Sequence, residues 1–545
     1  MKEMQQNEGI DSQVSVNYPR VSVVVHVFPL VFFFFVIVKD AWLSDDSYIT
    51  FRVVDNFVHG YGLTWNTDER VQAFTNPLWM FCLSLVSFFT HEIYYSSLLL
   101  SLTLSFTAIV IFSFSLAKSP LVAGLGIMTL AASKSFVDFS TSGLENPLTY
   151  LLIVLFMLVF YSFQHNKHYV FWLALIAGLS TLNRMDTLLL FLPALIFVLY
   201  EMPEWKSVSS LLLGFLPFLC WEVFSLWYYG FLFPNTAYAK LDTGIDSGLL
   251  LHQGIGYFVS SSSFDPILFP IIYASVLSIL QPRGSKSLPF IIGMGLYLLY
   301  MLKIGGDFMA GRFFTEPYLI AVILLARTSF PSRKSEWILA LVIIVSIGFF
   351  TSNSRWYPIT KGFIYDNLRK ISDERSYYGI TTGILNRQRD MPLPNFLEVQ
   401  NGLHARQSHK RVAVAGSIGV LGFTAGPHIH IIDIWALSDP LLARLPVLTW
   451  HIGHFERLIP KGYLQTLKSG RNVIQDKQLN LYYSKLRYIT RGSLFDIQRL
   501  IEIWKFNTGA YDYLLSHYSQ GEQGNKAQGD EVPQVDLRDG AIYYP

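Results

Sequence analysis

The chain has 545 residues, of which 52% are hydrophobic and 15% are charged, with a formal net charge of +2 and a mean hydropathy of +0.36. Soluble proteins carry about 25% charged residues, so this composition excludes a soluble enzyme and indicates a polytopic membrane protein. The near-neutral charge gives no reason to expect nucleic acid as a partner. The cysteines, Cys82 and Cys220, both lie in apolar runs, which argues against a disulfide framework and a cysteine-based metal site.

The chain begins with a polar segment, residues 1–20, that we expect to lie in the cytoplasm. Residues 21–38 are apolar over a length sufficient to cross a bilayer, and Arg20 before them favours an N-terminus on the inner side. Residues 39–77 are too rich in charge, Trp, Tyr and Gly to span the membrane. We therefore predict that they form the first external loop.

Further apolar runs continue to residue 352 and predict a transmembrane domain over residues 21–352. Two of them, 169–181 and 187–200, are short for a complete crossing. Counting the first run, 21–38, there are twelve runs, and we therefore predict about 11 transmembrane helices rather than one for each run. The runs are 78–91, 95–116, 121–137, 147–163, 169–181, 187–200, 208–229, 264–280, 288–304, 312–328 and 336–352.

Basic residues between these runs predict which loops face the cytoplasm. The loops 281–286 and 327–334 carry Lys and Arg, which favours the inner side. The segments 230–263 and 305–311 and the whole chain after residue 352 are then expected outside.

The composition becomes mixed after residue 352 and predicts an external C-terminal domain at 353–520. Residues 411–416 alternate like a strand, 417–425 predict a short helix, and 428–433 are again strand-like. This β-α-β order indicates a soluble α/β domain. Residues 521–545 are polar and rich in Gly and Gln, which predicts a flexible tail.

Two adjacent carboxylates, Asp45 and Asp46, stand just beyond the first predicted span. Carboxylates near a membrane face need water, a cation or a catalytic task, and a solvated loop is the simplest interpretation of this pair. Residues 49–59 predict a short amphipathic helix after the doublet, ended by the glycines at 60 and 62.

Polar residues elsewhere also fall at or near the predicted membrane faces. We expect Glu145 and the doublet to line one cavity with the cations Lys240, Arg184 and Arg312. Each residue also has a local interpretation: Glu145 suits a helix N-terminus, Lys240 an interfacial position and Arg312 a helix end, and Arg184 suits a structural pair with Asp186.

Such a cavity suits the transfer of a sugar from a polyprenyl phosphate. A carboxylate of the doublet can take the proton of the incoming hydroxyl, and Lys or Arg at the membrane face can stabilise the leaving phosphate. The second carboxylate can orient the first, or bind an acceptor hydroxyl or a metal. An apolar groove between helices would hold the lipid.

Several motifs carry a resemblance to a known family. The first loop resembles that of the polytopic GT-C glycosyltransferases, and most closely the terminal arabinofuranosyltransferase (AftB) family of mycobacterial cell-wall synthesis. The first-loop motifs are Asp45-Asp46-Ser47-Tyr48-Ile49-Thr50-Phe51-Arg52, Gly60-Tyr61-Gly62-Leu63-Thr64-Trp65-Asn66 and Thr75-Asn76-Pro77-Leu78-Trp79. Supporting matches are Ser142-Gly143-Leu144-Glu145, Pro234-Asn235-Thr236, Gly305-Gly306-Asp307-Phe308 and, in the tail, Asp373-Glu374-Arg375 and Ser438-Asp439-Pro440.

The resemblance implies an inverting GT-C enzyme of the plasma (inner) membrane whose active site and C-terminal domain are extracytoplasmic. Its donor would be a polyprenyl-phosphoryl pentofuranose, and the C-terminal domain would help bind a glycan or lipid-linked acceptor. We assign the base to Asp45 with Asp46 as its helper. The donor-phosphate ligands are Lys240, Arg312 and Arg184, and the substrate-binding residues are Arg52, Asn76, Glu145, Asn235, Tyr238 and Asp307.

This chain departs from the family pattern at Asn183-Arg184-Met185-Asp186, where the family usually shows Thr-Arg-Pro-Asp/Glu. A GT-C transferase of another sugar, such as mannose or aminoarabinose, to lipid, protein or polysaccharide is an alternative, because fold does not fix substrate. A non-enzymatic lipid-linked-sugar transporter is another, although no repeat is present. No metal ligands or cofactor are assigned, and a divalent cation at the acids stays open.

Overall fold

The structure, a computed structural model, describes residues 20–241, 243–280, 284–328, isolated residues between 336 and 348, and then 365–366, 369–386, 397–407, 411–516 and 541–542. The predicted cytoplasmic segment lies outside these residues except for Arg20. Most of the apolar run 336–352 and of the predicted tail 521–545 also lies outside them.

Helices form most of the described chain up to residue 327. They follow the predicted apolar runs closely, and Pro77 starts the third helix at a position that needs no backbone N–H. In chain order they are α1 (Arg20–Lys39), α2 (Asp45–Val58), α3 (Pro77–Thr90), α4 (Tyr94–Ile111), α5 (Pro120–Ala132), α6 (Lys134–Asp138), α7 (Asn146–Ser162), α8 (Tyr169–Asn183), α9 (Leu188–Glu201), α10 (Trp205–Gly214), α11 (Leu216–Tyr228), α12 (Asn235–Lys240), α13 (Ser247–Phe264), α14 (Leu268–Ala274), α15 (Leu288–Lys303) and α16 (Thr315–Arg327).

Two helical stretches in the described chain are long and apolar enough to cross a membrane, Tyr94–Leu116 and Gly284–Lys303. Two bent pairs pass the same criteria when each is taken as one span. These are α10 with α11, bent by 51°, and α13 with Leu268–Leu280, bent by 104°. Several shorter apolar helices accompany them. The helical membrane fold is therefore supported, while the number of about 11 spans stays a prediction.

The segment 230–263, which we predicted to lie outside, contains α12 and all but the last residue of α13. Its polar composition hid the second helix, since α13 includes Gly, His, Gln and four consecutive Ser residues. The Asp246 side chain caps α13 by accepting the backbone N–H groups of Gly248 and Leu249.

The tail combines short helices with small sheets. Its helices are α17 (Glu374–Thr382), α18 (Leu397–Gln407), α19 (Gly419–Ala425), α20 (Tyr463–Ser469), α21 (Lys477–Arg491) and α22 (Ile497–Asn507), and its strands are β1 (Tyr365–Asp366), β2 (Ile371–Ser372), β3 (Val412–Ala415), β4 (His430–Asp433), β5 (Val447–His451), β6 (His454–Arg457) and β7 (Ala541–Ile542).

The predicted strand-helix-strand order is confirmed, because β3 and β4 pair in parallel across α19, with Val412 opposite His430. A parallel pair needs such a crossover connection. On its other side β3 pairs antiparallel with β7, so residues 541–542 form a strand within the segment that we predicted to be a flexible tail.

The segment 39–77 and the tail share buried surface. A small apolar cluster joins Trp42 of the loop, Phe308 of the 305–311 connection, and Phe455 of the tail hairpin β5–β6. Helix α19 packs directly on α2, and Gly419 comes so close that a Cβ atom there would lie 2.0 Å from the Asp45 carbonyl oxygen. Only a residue without a side chain permits this approach.

We predict that Gly419→Ala separates α19 from α2. The overpacking should lower the free energy of unfolding by about 1–3 kcal/mol, because backbone rather than a flexible side chain blocks the added methyl group. Thermal unfolding and limited proteolysis of the tail measure the effect. Gly295→Ala in α15 is the matched control, since a Cβ atom there meets nothing within 4 Å. Equal melting of both variants would contradict the predicted packing.

Candidate active site

The carboxylate doublet opens a helix rather than lying in a loop as the sequence suggested. Ser44 is the N-cap of α2, and its hydroxyl accepts the backbone N–H of Ser47. Asp45 and Asp46 therefore occupy the first turn, where the unpaired N–H groups and the helix dipole stabilise negative charge. We placed the helix start at residue 49 because the apolar periodicity begins there, and this was four residues late.

Asp45 is directed toward the tail. Its carboxylate accepts the backbone N–H of Val420 at 2.8 Å and that of Gly419 at 3.2 Å, at the N-terminus of α19. Burial raises the pKa of Asp45 to about 7, although the hydrogen bond from Val420 opposes this shift. Asp45 thus links the first loop to the tail.

Asp46 is only half-buried and faces a different set of groups. Lys240 and Arg312 act on it electrostatically, as do the acids Asp307 and Glu145. Burial raises the pKa of Asp46, and the two cations reduce that rise without cancelling it. In the described part of the chain no hydrogen bond engages its carboxylate, so its oxygens are available to a ligand.

Glu145 stands at the centre of the neighbouring ion pairs. It accepts a hydrogen bond from Arg312 at 3.0 Å and one from the Asn76 side chain at 3.1 Å, and Arg184 lies 3.6 Å away. Arg312 also approaches Asp307 at 3.8 Å. The contact between Glu145 and Arg312 joins an acid and a cation that are 167 residues apart in the chain, which sequence spacing alone could not reveal.

Arg184 belongs to this network but is occupied within it. Asp186 binds its guanidinium in bidentate fashion at 2.8 and 3.0 Å, and Glu316 binds it at 3.1 Å. The side chain is buried. The structural pair with Asp186 that we considered as an alternative is therefore formed, and this geometry argues against Arg184 as a phosphate ligand.

Arg52 and Asn235 do not fit the substrate-binding role that we predicted, because backbone carbonyls take their buried donors. Arg52 donates to the carbonyls of Trp65, Gly422 and Ile429 at 2.7–2.8 Å. The amide of Asn235 donates to three carbonyls in the tail turn 436–439. Both residues hold the membrane domain and the tail together.

The remaining predicted substrate residues differ in the groups that they contact. Asn76 contacts Glu145 and accepts the hydroxyl of Thr50 at 3.2 Å, and Asp307 interacts electrostatically with Asp46. Tyr238 is half-buried below the guanidinium of Arg444, 4.6 Å from its ring centre.

Sequence reasoning missed Glu374 as a site residue. It is buried at the start of α17, is hydrogen-bonded to Ser372 at 2.7 Å, and interacts electrostatically with Asp46 and Asp45. Burial raises its pKa to about 8, with a further rise from these acids. A neutral carboxyl can donate a hydrogen bond to a ligand. The Asp373-Glu374-Arg375 motif was the available signal, but it lies far from the doublet in sequence.

A metal site does not emerge from the described residues, among which no group of three or more His, Cys, Asp or Glu side chains is arranged to hold an ion. Glu145, the acid that we considered as a third ligand beside the doublet, is already paired with arginines. The divalent cation stays a prediction.

The chain is similar in sequence to two known proteins. No protein-family model matches the chain. The terminal beta-(1->2)-arabinofuranosyltransferase of Mycobacterium tuberculosis is 26% identical over 515 residues, covering 77% of this chain and 81% of that protein. The protein of the same name from Corynebacterium glutamicum is 25% identical over 402 residues, covering 64% of this chain and 57% of its own length.

Among solved structures, ArnT from Cupriavidus metallidurans bound to undecaprenyl phosphate superposes with a TM-score of 0.47 at 11% identity, covering 78% of this chain and 88% of that one. The two sequence matches confirm the predicted resemblance to the terminal arabinofuranosyltransferases. They also confirm the prediction that the chain is a glycosyltransferase.

Proposed function

We propose that this membrane glycosyltransferase moves arabinofuranose, or a related pentose, from a polyprenyl-phosphate donor to a glycan acceptor on the extracytoplasmic face. The choice of sugar rests on the names of the two sequence relatives. The single observation that supports the chemistry is the position of Asp46. It is a half-buried carboxylate at a helix N-terminus, and it faces Lys240 and Arg312 from distant segments.

The reaction needs a base and an anion site on opposite sides of one carbon. The base takes the proton of the acceptor hydroxyl, whose oxygen attacks the anomeric carbon while the bond from that carbon to the phosphate oxygen breaks. The polyprenyl phosphate leaves with the bonding electrons. Lys240 and Arg312 would stabilise the negative charge on the leaving phosphate.

We assign the base to Asp46 and a positioning role to Asp45, which reverses the order inferred from sequence. Both oxygens of Asp45 already accept backbone N–H groups of α19, whereas those of Asp46 have no such partner in the described chain. Glu374, neutral below its raised pKa, would donate a hydrogen bond to a sugar hydroxyl without adding charge beside the phosphate.

Asp46→Asn should lower the transfer rate at least about 100-fold, the usual contribution of a general base, while donor binding is retained. Asp45→Asn should lose less activity, with faster proteolysis of the tail, because the amide keeps one acceptor but no charge. The assay uses a synthetic polyprenyl-phosphoryl arabinofuranose and an arabinan acceptor, with mannosyl and aminoarabinosyl donors in parallel.

Asp246→Asn, which removes an exposed carboxylate but can still cap α13, is the matched control and should transfer normally. Greater loss in Asp45→Asn than in Asp46→Asn would return the base to Asp45. Near wild-type rates in both variants would reject the doublet as the source of the base.

Lys240→Met should raise the donor KM about 10-fold to 100-fold, because a hydrogen bond to a charged group contributes about 1.5–3 kcal/mol. Lys240 forms no ion pair among the described side chains, so its removal breaks no direct salt bridge. Steady-state kinetics with varied donor measure the change. Lys303→Met removes an exposed lysine at the end of α15 and should leave KM unchanged. An unaltered KM in Lys240→Met would argue against phosphate binding there.

The pH dependence of the transfer rate provides a further prediction. Burial raises the pKa of Asp45 to about 7 and also raises that of Asp46, so the base holds its proton to a higher pH than a solvated aspartate does. A base acts only when it is unprotonated, and kcat/KM should therefore still rise with pH above the range in which an ordinary aspartate titrates. Lys240→Met should move the profile to higher pH, because Lys240 lowers the pKa of Asp46. A profile that is already flat at the upper end of the ordinary aspartate range would contradict the assignment.

A further inference from the structure

Helix α22 exposes an apolar stripe that is not expected for a helix on a water-soluble domain. Ile497 and Trp504 are 75% and 72% exposed, and Leu500 and Ile501 are exposed beside them. The spacing of these four residues places them on one stripe of about 100° along the helix. Helices on soluble domains normally turn such a stripe inward, so this one faces a different environment.

The opposite face of α22 buries charged side chains, which fixes the direction of the stripe. Arg499 is fully buried and donates to the backbone carbonyls of Ile489, Trp227 and Tyr228 at 2.7–2.8 Å. Glu502 is 1% exposed and is hydrogen-bonded to Lys485 at 3.1 Å. Rotating the helix to hide its apolar residues would break these contacts and expose their partners.

Two of those carbonyls belong to the end of α11, so the apolar stripe lies next to a candidate span. With α10, α11 is apolar enough to cross a membrane, and it exposes Leu219 and Val223. The next residue on that face is Trp227, whose ring lies 5.6 Å from that of the highly exposed Phe495. The exposed apolar surface therefore continues from the span onto the tail.

We propose that α22 is a membrane-docking helix that lies in the interfacial layer of the bilayer around α11. Its stripe of Ile497, Leu500, Ile501 and Trp504 would enter the boundary between headgroups and acyl chains. Tryptophan is favoured at that depth, because its ring is apolar while its N–H can reach water. The occupant is the bilayer itself, since lipid already surrounds the exposed face of the adjoining span. This inference does not depend on the transferase proposal.

Spin labels on the full chain in phosphatidylcholine–phosphatidylglycerol nanodiscs test the inference. Ile501→Cys and Trp504→Cys are labelled separately after Cys82 and Cys220 are changed to alanine. Both positions point outward, so the label displaces no buried contact. Accessibility to oxygen, which concentrates in lipid, is compared with accessibility to a water-soluble nickel chelate.

Two references calibrate the measurement. The exposed Cys220 of α11, labelled in Cys82→Ala, reports a lipid-facing site, and Lys468→Cys on α20 reports an exposed charged position of the tail. The stripe labels should match Cys220, with an oxygen-to-nickel ratio several-fold above that of Lys468→Cys.

Two results would overturn the inference. A ratio equal to that of Lys468→Cys would show that the stripe faces water. Exclusion of both reagents, together with dipolar broadening between labels, would show that a second copy of the chain covers it.

Discussion

The contact between α2 and α19 is the constraint on which the arrangement of the first loop and the tail depends. A carboxylate is costly to bury unless hydrogen bonds replace its water, and the backbone N–H groups of Gly419 and Val420 do this for Asp45. One helical face of α2 continues the contact, since Arg52 lies seven residues after Asp45 and donates to the carbonyl of Gly422 within α19 and to that of Ile429 after it. The first loop and the tail therefore satisfy each other's buried polar groups.

Adjacent residues on a helix point about 100° apart, and this explains why the two carboxylates of the doublet have different surroundings. Asp45 and Arg52 face the tail. Asp46 and Thr50, one turn apart, face the side where Thr50 meets Asn76 and where Lys240 and Arg312 act on Asp46. The helix thus separates a structural acid from a chemically available one.

Buried ion pairs on either side of Glu374 hold it near the doublet. Arg375 binds Asp40 at 2.9 Å, and Asp373 lies 3.2 Å from Lys134. Because both neighbours are paired with the membrane domain, the residue between them has little freedom to move. The tail thereby adds a carboxyl group to a site whose other members come from the membrane domain, and the site is complete only when the two parts are packed together.

The membrane class, the positions of the apolar helices and the strand-helix-strand order of the tail could be read from the sequence, because hydropathy, alternation and Pro or Gly signals act over short stretches. Most of the carboxylates and cationic side chains of the candidate active site could also be proposed. The sequence could not show which of these groups are structural and which are available, because Arg52, Arg184 and Asn235 each also have a partner more than 100 residues away.

Local chemistry thus determined which side chains this protein places near its membrane face. Only the tertiary structure decided which carboxylate meets the cations, that Glu374 joins them, and that α22 turns its apolar residues outward. The physical reason is that burial and partners set the pKa of a charged group and its availability to a ligand. Folding provides both, and neighbouring residues in the sequence do not reveal them.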